Sequence, residues 1–66
     1  MKLRLTLHKH VEIEDARHEI ERIGATRILE ELPFHGVLVV KCQETSAVQK
    51  LQSSDLFAYA QPDEAN

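Results

Sequence analysis

The sequence predicts a single α+β domain built in the order strand, helix, strand, strand, helix, strand. Three observations carry this. Apolar residues alternate through the first eight positions, the period of a strand with one face buried. They then recur at spacings of three and four through residues 12–23, the period of a helix. Four consecutive aliphatic residues, Val37 to Val40, read as a central strand with both faces partly covered.

In the first strand, residues 2–8, Leu3, Leu5 and Leu7 point one way and Lys2, Arg4, Thr6 and His8 the other. The helical stripe is Ile13, Ala16, Ile20 and Ile23. Glu12, Glu14 and Asp15 suit the positive N-terminal end of that helix, and Arg22 suits the other end. Gly24 stands where a left-handed terminating residue is wanted. No Ser, Thr or Asn precedes the helix, so the sequence does not identify its N-cap. Residues 26–32, TRILEEL, fit helix or strand by composition; the β-branched start and the following Pro33 favour a short strand. Pro33, His35 and Gly36 mark a turn, and VLVVKC over 37–42 forms the third strand. Thr45 or Ser46 can cap a shorter second helix, Ser46 forming a capping box with Gln49. Ala47 or Val48, with Leu51, supply its inner face, and Ser53, Ser54 and Asp55 end it. LFAYA, residues 56–60, is the last strand, and residues 61–66 are a polar tail stopped by Pro62. Two split βαβ units with right-handed crossovers give a four-stranded antiparallel sheet with both helices on one face. This is the ferredoxin-like βαββαβ sandwich, and it leaves the second face of the sheet open.

Composition narrows the function. Sixty-six residues make one domain, 1–66, which buries about 60% of the surface its unfolded chain exposes. Stability is then on the order of a few kcal/mol. A lone cysteine, Cys42, excludes an intrachain disulfide, and no CxxC suggests structural zinc, so binding or self-association can supply what the core does not. The chain has 11 acidic and 8 basic residues, which argues against nonspecific nucleic-acid or membrane binding. No apolar run approaches the roughly 20 residues needed to span a bilayer. The N-terminus lacks a signal-peptide core and cleavage site. The chain as it stands therefore reads as cytoplasmic, or as extracellular if it is excised from a longer precursor.

Three stretches together resemble the propeptide domain of subtilisin-like serine proteases and its stand-alone inhibitor relatives. Ile23-Gly24-Ala25-Thr26 is similar to that family's step from helix into second strand. Phe34-His35-Gly36, leading into Val37 to Val40, resembles its aromatic-x-Gly hairpin. Leu56-Phe57-Ala58-Tyr59-Ala60-Gln61-Pro62-Asp63 is similar to its last strand and the acidic signature that follows. Two departures stand out: the acidic pair is reduced to Gln61 and Asp63, and only Glu64, Ala65 and Asn66 follow Asp63. The resemblance implies that the open sheet face, near Arg4, Thr6 and the last strand, packs against helices of a protease. Asp63 would cap their N-terminal ends, and the tail would add as a strand to the edge of the substrate cleft. The protease-binding residues so implied are Phe57, Tyr59, Gln61, Pro62, Asp63, Glu64, Ala65 and Asn66.

Other features carry less. His8 and His10 point to the same side and could share a metal or haem, but two ligands are too few, and solvent-facing histidines are the plainer reading. Cys42 reads as a small packing residue, because no nearby sequence feature lowers its pKa. The acidic residues of the first helix read as a solvated face. Adjacent Glu30 and Glu31 face opposite ways on a strand and make a poor acid/base pair. Phe57 and Tyr59, two apart, are expected on one face of the last strand, either both in the core or both on the open face. No phosphate loop, catalytic triad or HExxH occurs, so no catalysis and no cofactor are expected. The leading expectation is a propeptide-like inhibitor or folding chaperone of a subtilisin-like serine protease. Behind it stand a ferredoxin-like interaction or regulatory module, homodimeric in one version, and a metal or haem carrier using His8 and His10.

Overall fold

A computed structural model describes residues 1–63. Seven elements follow in order: β1 (Lys2–Leu7), α1 (Ile13–Ile23), β2 (Thr26–Leu32), a 3-10 turn (Pro33–His35), β3 (Val37–Cys42), α2 (Thr45–Gln52) and β4 (Phe57–Pro62). The strands form one antiparallel sheet in the order β2-β3-β1-β4. This is the ferredoxin-like βαββαβ arrangement.

The core lies between the sheet and the helices. Leu3 and Leu5 of β1 pair across the sheet with Val40 and Leu38 of β3, and all four are fully buried. Ala16 and Ile20 of α1, and Ala47, Val48 and Leu51 of α2, close over them. Ile13 and Ile23, the outer members of the helical stripe, are partly buried against the same cluster. The Cα atoms span only 16 Å in the thinnest direction. Sheets and helices pack with layers about 10 Å apart, so that depth holds one sheet and one helical layer. Val37 and Val39 point to the other side and are outside the core cluster, yet they too are buried. Their cross-strand neighbours, Thr6 and Leu32 for Val37 and Arg4 and Glu30 for Val39, screen them. That accounts for the unbroken aliphatic run in β3.

Several boundaries differ from the sequence expectation. β1 ends at Leu7, and His8 begins the loop, its backbone N–H donating to Leu56 O at 3.2 Å. α1 begins after Glu12, which makes no side-chain cap bond. α2 starts at Thr45 with Glu44 as N-cap, so Ser46 lies inside the first turn and no Ser46–Gln49 capping box forms. The Ser46 hydroxyl donates instead to Glu44 Oε2 at 3.2 Å. β4 runs past Ala60 through Gln61 and Pro62. A proline is tolerated there because β4 is an edge strand. The Asp63 N–H still donates to Lys2 O at 2.9 Å.

Each edge strand also carries one extra residue. In β2, Ile28 faces Val40 and Glu30 faces Val39, leaving Leu29 unpaired. In β4, Tyr59 faces Thr6 and Phe57 faces Leu7, leaving Ala58 unpaired. Such bulges shift the side chains beyond them to the other face.

Candidate functional site

Both helices cover one face of the sheet, and the other face is a functional candidate because nothing among the described residues covers it. Its composition follows from the strand registers. Three rows run across the strands. The first holds Leu32, Val37, Thr6 and Tyr59. The second holds Glu30, Val39, Arg4 and Gln61. The third holds Arg27, Lys41 and Lys2, with Asp63 following β4 beside Lys2. The face thus runs from an apolar, aromatic end to a cationic end. Phe34, wholly exposed, sits in the 3-10 turn at the apolar end.

The bulge at Ala58 separates two residues expected to act together. Phe57 is 6% exposed and belongs to the core, whereas Tyr59 is 61% exposed on the open face. The expectation of one shared face fails because the extra residue breaks the alternation. Phe57 therefore supports the fold, and Tyr59 is left to make contacts. Gln61 and Pro62 are exposed at the edge, and Asp63 is half-buried. Glu64, Ala65 and Asn66 lie outside the described residues. Arg27 and Leu32 of β2 were not expected on this face. Pairing β2 and β3 in register would have found them, but the bulge at Leu29 hides that register from a simple alternation.

Other regions offer less chemistry. The His8 and His10 rings stack with centroids 6.0 Å apart. Among the described residues, no third His, Cys, Asp or Glu joins them or forms another such group. Cys42 is buried beneath a small recess of about 170 Å³ lined by Met1, Gln43, Glu44, Thr45 and Val48. A wider groove of about 430 Å³ separates the C-terminal ends of the helices. Glu19 spans its wall, accepting from Arg22 Nε at 2.7 Å and from the Ser54 hydroxyl at 3.0 Å. The Arg22 hydrogen bond holds the Glu19 carboxyl below its ordinary range, against burial, with a smaller push from Ser54. Arg17 makes a two-pronged pair with Glu31 at 2.7 and 3.0 Å on the helical side of the sheet. That pair lowers Glu31 and raises Arg17, chiefly through the hydrogen bond itself. These contacts tie elements together and present no open reactive group. No described helix is long and apolar enough to cross a membrane.

Comparison with known proteins finds no matching family model, no matching curated protein and no matching solved structure.

Proposed function

We propose that the chain is a propeptide-like module that binds a subtilisin-like serine protease and does no chemistry of its own. The open sheet face is the contact surface in this reading, and the segment after β4 runs on toward the substrate cleft. One observation carries it. Tyr59, 61% exposed, and half-buried Leu32 lie on a sheet face that neither described helix covers, and Phe34 is wholly exposed in the turn at its end. Exposed aromatics around an apolar centre are the composition of binding faces. The resemblance of the last strand to the family signature adds the identity of the partner. In a precursor the same contacts would template folding of the protease; in a free-standing protein they would inhibit it.

Titration of the folded protein into a subtilisin assay tests this. Inhibition at micromolar concentration or below is expected, and none at that level overturns the proposal. Removing Glu64 to Asn66 should weaken inhibition if that segment enters the cleft.

A further inference from the structure

The cationic end of the open face has a feature that the fold does not require. Arg27, Lys41 and Lys2 stand side by side, Lys41 being the direct cross-strand neighbour of both others. Arg4 lies on the same face one row inward, with Glu30 at the β2 end of that row and in no ion pair. Among the described residues, the two ion pairs are Arg17 with Glu31 and Arg22 with Glu19, so none of these four cations is paired. Asp63 flanks Lys2 at the far end of the row and forms no ion pair with it. Like charges directly opposite on neighbouring strands destabilise a sheet. The chain carries a formal charge of −3, so the row is no by-product of a generally basic surface.

We propose that this row docks an acidic helical segment of the protein partner. The identity of that partner rests on the protease-binding reading; the docking chemistry does not. Charge complementarity argues for carboxylates, and spacing argues for a helix. Neighbouring strands lie about 4.8 Å apart, so the three cations span about 10 Å. A helix crossing the strands shows residues i, i+3 or i+4, and i+7 on one face over about 10.5 Å. Carboxylates at those positions meet the cations one to one. An extended segment repeats a face about every 6.8 Å and misses the middle cation. The apolar end, with exposed Tyr59 and Phe34, then takes the uncharged part of the same partner. A nucleic acid would call for aromatics interleaved with the basic row, but Tyr59 lies at the opposite end of the face.

Amide NMR titration of the full chain tests this with three probes. They are a helix-stapled peptide with Glu at i, i+4 and i+7, the same peptide with Gln at those positions, and a single-stranded oligonucleotide. Shifts centred on Arg27, Lys41 and Lys2 are expected with the Glu peptide alone. The Kd should rise about tenfold between roughly 20 and 300 mM salt. It should rise about three- to tenfold in the double variant Lys2→Gln/Lys41→Gln. No shifts at about millimolar peptide, equal binding of the Gln peptide, or tighter binding of the oligonucleotide overturns the proposal. Peptide binding without inhibition of a subtilisin removes the protease reading and leaves this one standing; inhibition without peptide binding does the reverse.

Discussion

At the residue scale the structure separates side chains that hold the fold from those free to act. Phe57 and Tyr59 are the clearest pair, two positions apart and on opposite sides of the sheet. Phe57→Ala removes a buried ring and should cost about 3–5 kcal/mol, enough to unfold a domain of this size. Tyr59→Ala should change stability by less than about 1 kcal/mol, while weakening subtilisin inhibition about tenfold or more. Thermal melts beside inhibition titrations of the two variants check this, and equal effects on stability would contradict the assignment of faces. Glu19 supplies a pH prediction. Its carboxyl, and that of Glu31, is held low in the folded state. A carboxylate whose folded pKa lies below its unfolded one adds stability above the ordinary glutamate range, about pH 4.3. That stability is lost as the pH falls through the lower, folded value. The Arg17–Glu31 pair is solvent-screened, with side chains 44% and 30% exposed, and contributes little. Glu19→Gln should therefore lower stability at neutral pH by about 0.5–1 kcal/mol and flatten the acid limb of a plot of Tm against pH. An unchanged acid limb would show that the carboxyl is not perturbed. Little of this was legible in the sequence: Glu19 looked like one more solvated acid on α1, and its partner Ser54 lies 35 residues away.

Elements were more legible than residues, and the exceptions share one cause. The alternation of β1, the stripe of α1 and the aliphatic run of β3 are local patterns, and each produced its element within one residue at either end. The bulges at Leu29 and Ala58 and the N-cap at Glu44 depend on how neighbouring segments pair, which periodicity does not carry. Both bulges fall on the edge strands β2 and β4, and β4 ends in Pro62. Bulges and prolines blunt an edge against strand addition, which disfavours a homodimer made by joining sheets. The junction after α1 is the most constrained piece of backbone. Gly24 has φ 75 and ψ −178, a region essentially reserved for glycine, and Ala25 follows at φ 51. A Cβ on Gly24 would touch nothing within 4 Å, so any cost of adding one is backbone strain alone. Gly24→Ala should destabilise by about 1–3 kcal/mol. Ala25→Gly relieves a left-handed alanine but loses a methyl packed on the core, and should stay within about 1 kcal/mol of wild type. At about 4–8 °C per kcal/mol for a domain this small, calorimetry separates the two. A Gly24→Ala protein melting with wild type would refute the strain.

At the scale of the whole molecule, acids predominate on α1, beside Arg17 and Arg22, and cations predominate on the open sheet face, beside Glu30. Glu14, Asp15, Glu19 and Glu21 lie on α1, in the helical layer, while Lys2, Arg4, Arg27 and Lys41 share the open sheet face. Such sorting was hidden in the sequence because the four cations come from three strands, and only their registers bring them together. It has a consequence for the free domain. Lys41 stands between Arg27 and Lys2, so it feels a like charge on each side. Placing an acid there turns both repulsions into attractions, each worth about 0.2–1 kcal/mol. Lys41 is exposed and outside the core cluster, so the substitution disturbs no packing. Lys41→Glu should therefore raise the Tm of the isolated chain by several degrees at low salt, with the gain shrinking as salt screens the row. The same substitution should weaken docking of the acidic peptide, because a carboxylate now faces carboxylates. Stability and binding moving in opposite directions is what a residue kept for a partner predicts, since local stability alone would not retain it. A Lys41→Glu protein that is less stable at low salt than wild type would mean that the row is already neutralised within the chain, and the case for an acidic partner would lose its physical basis.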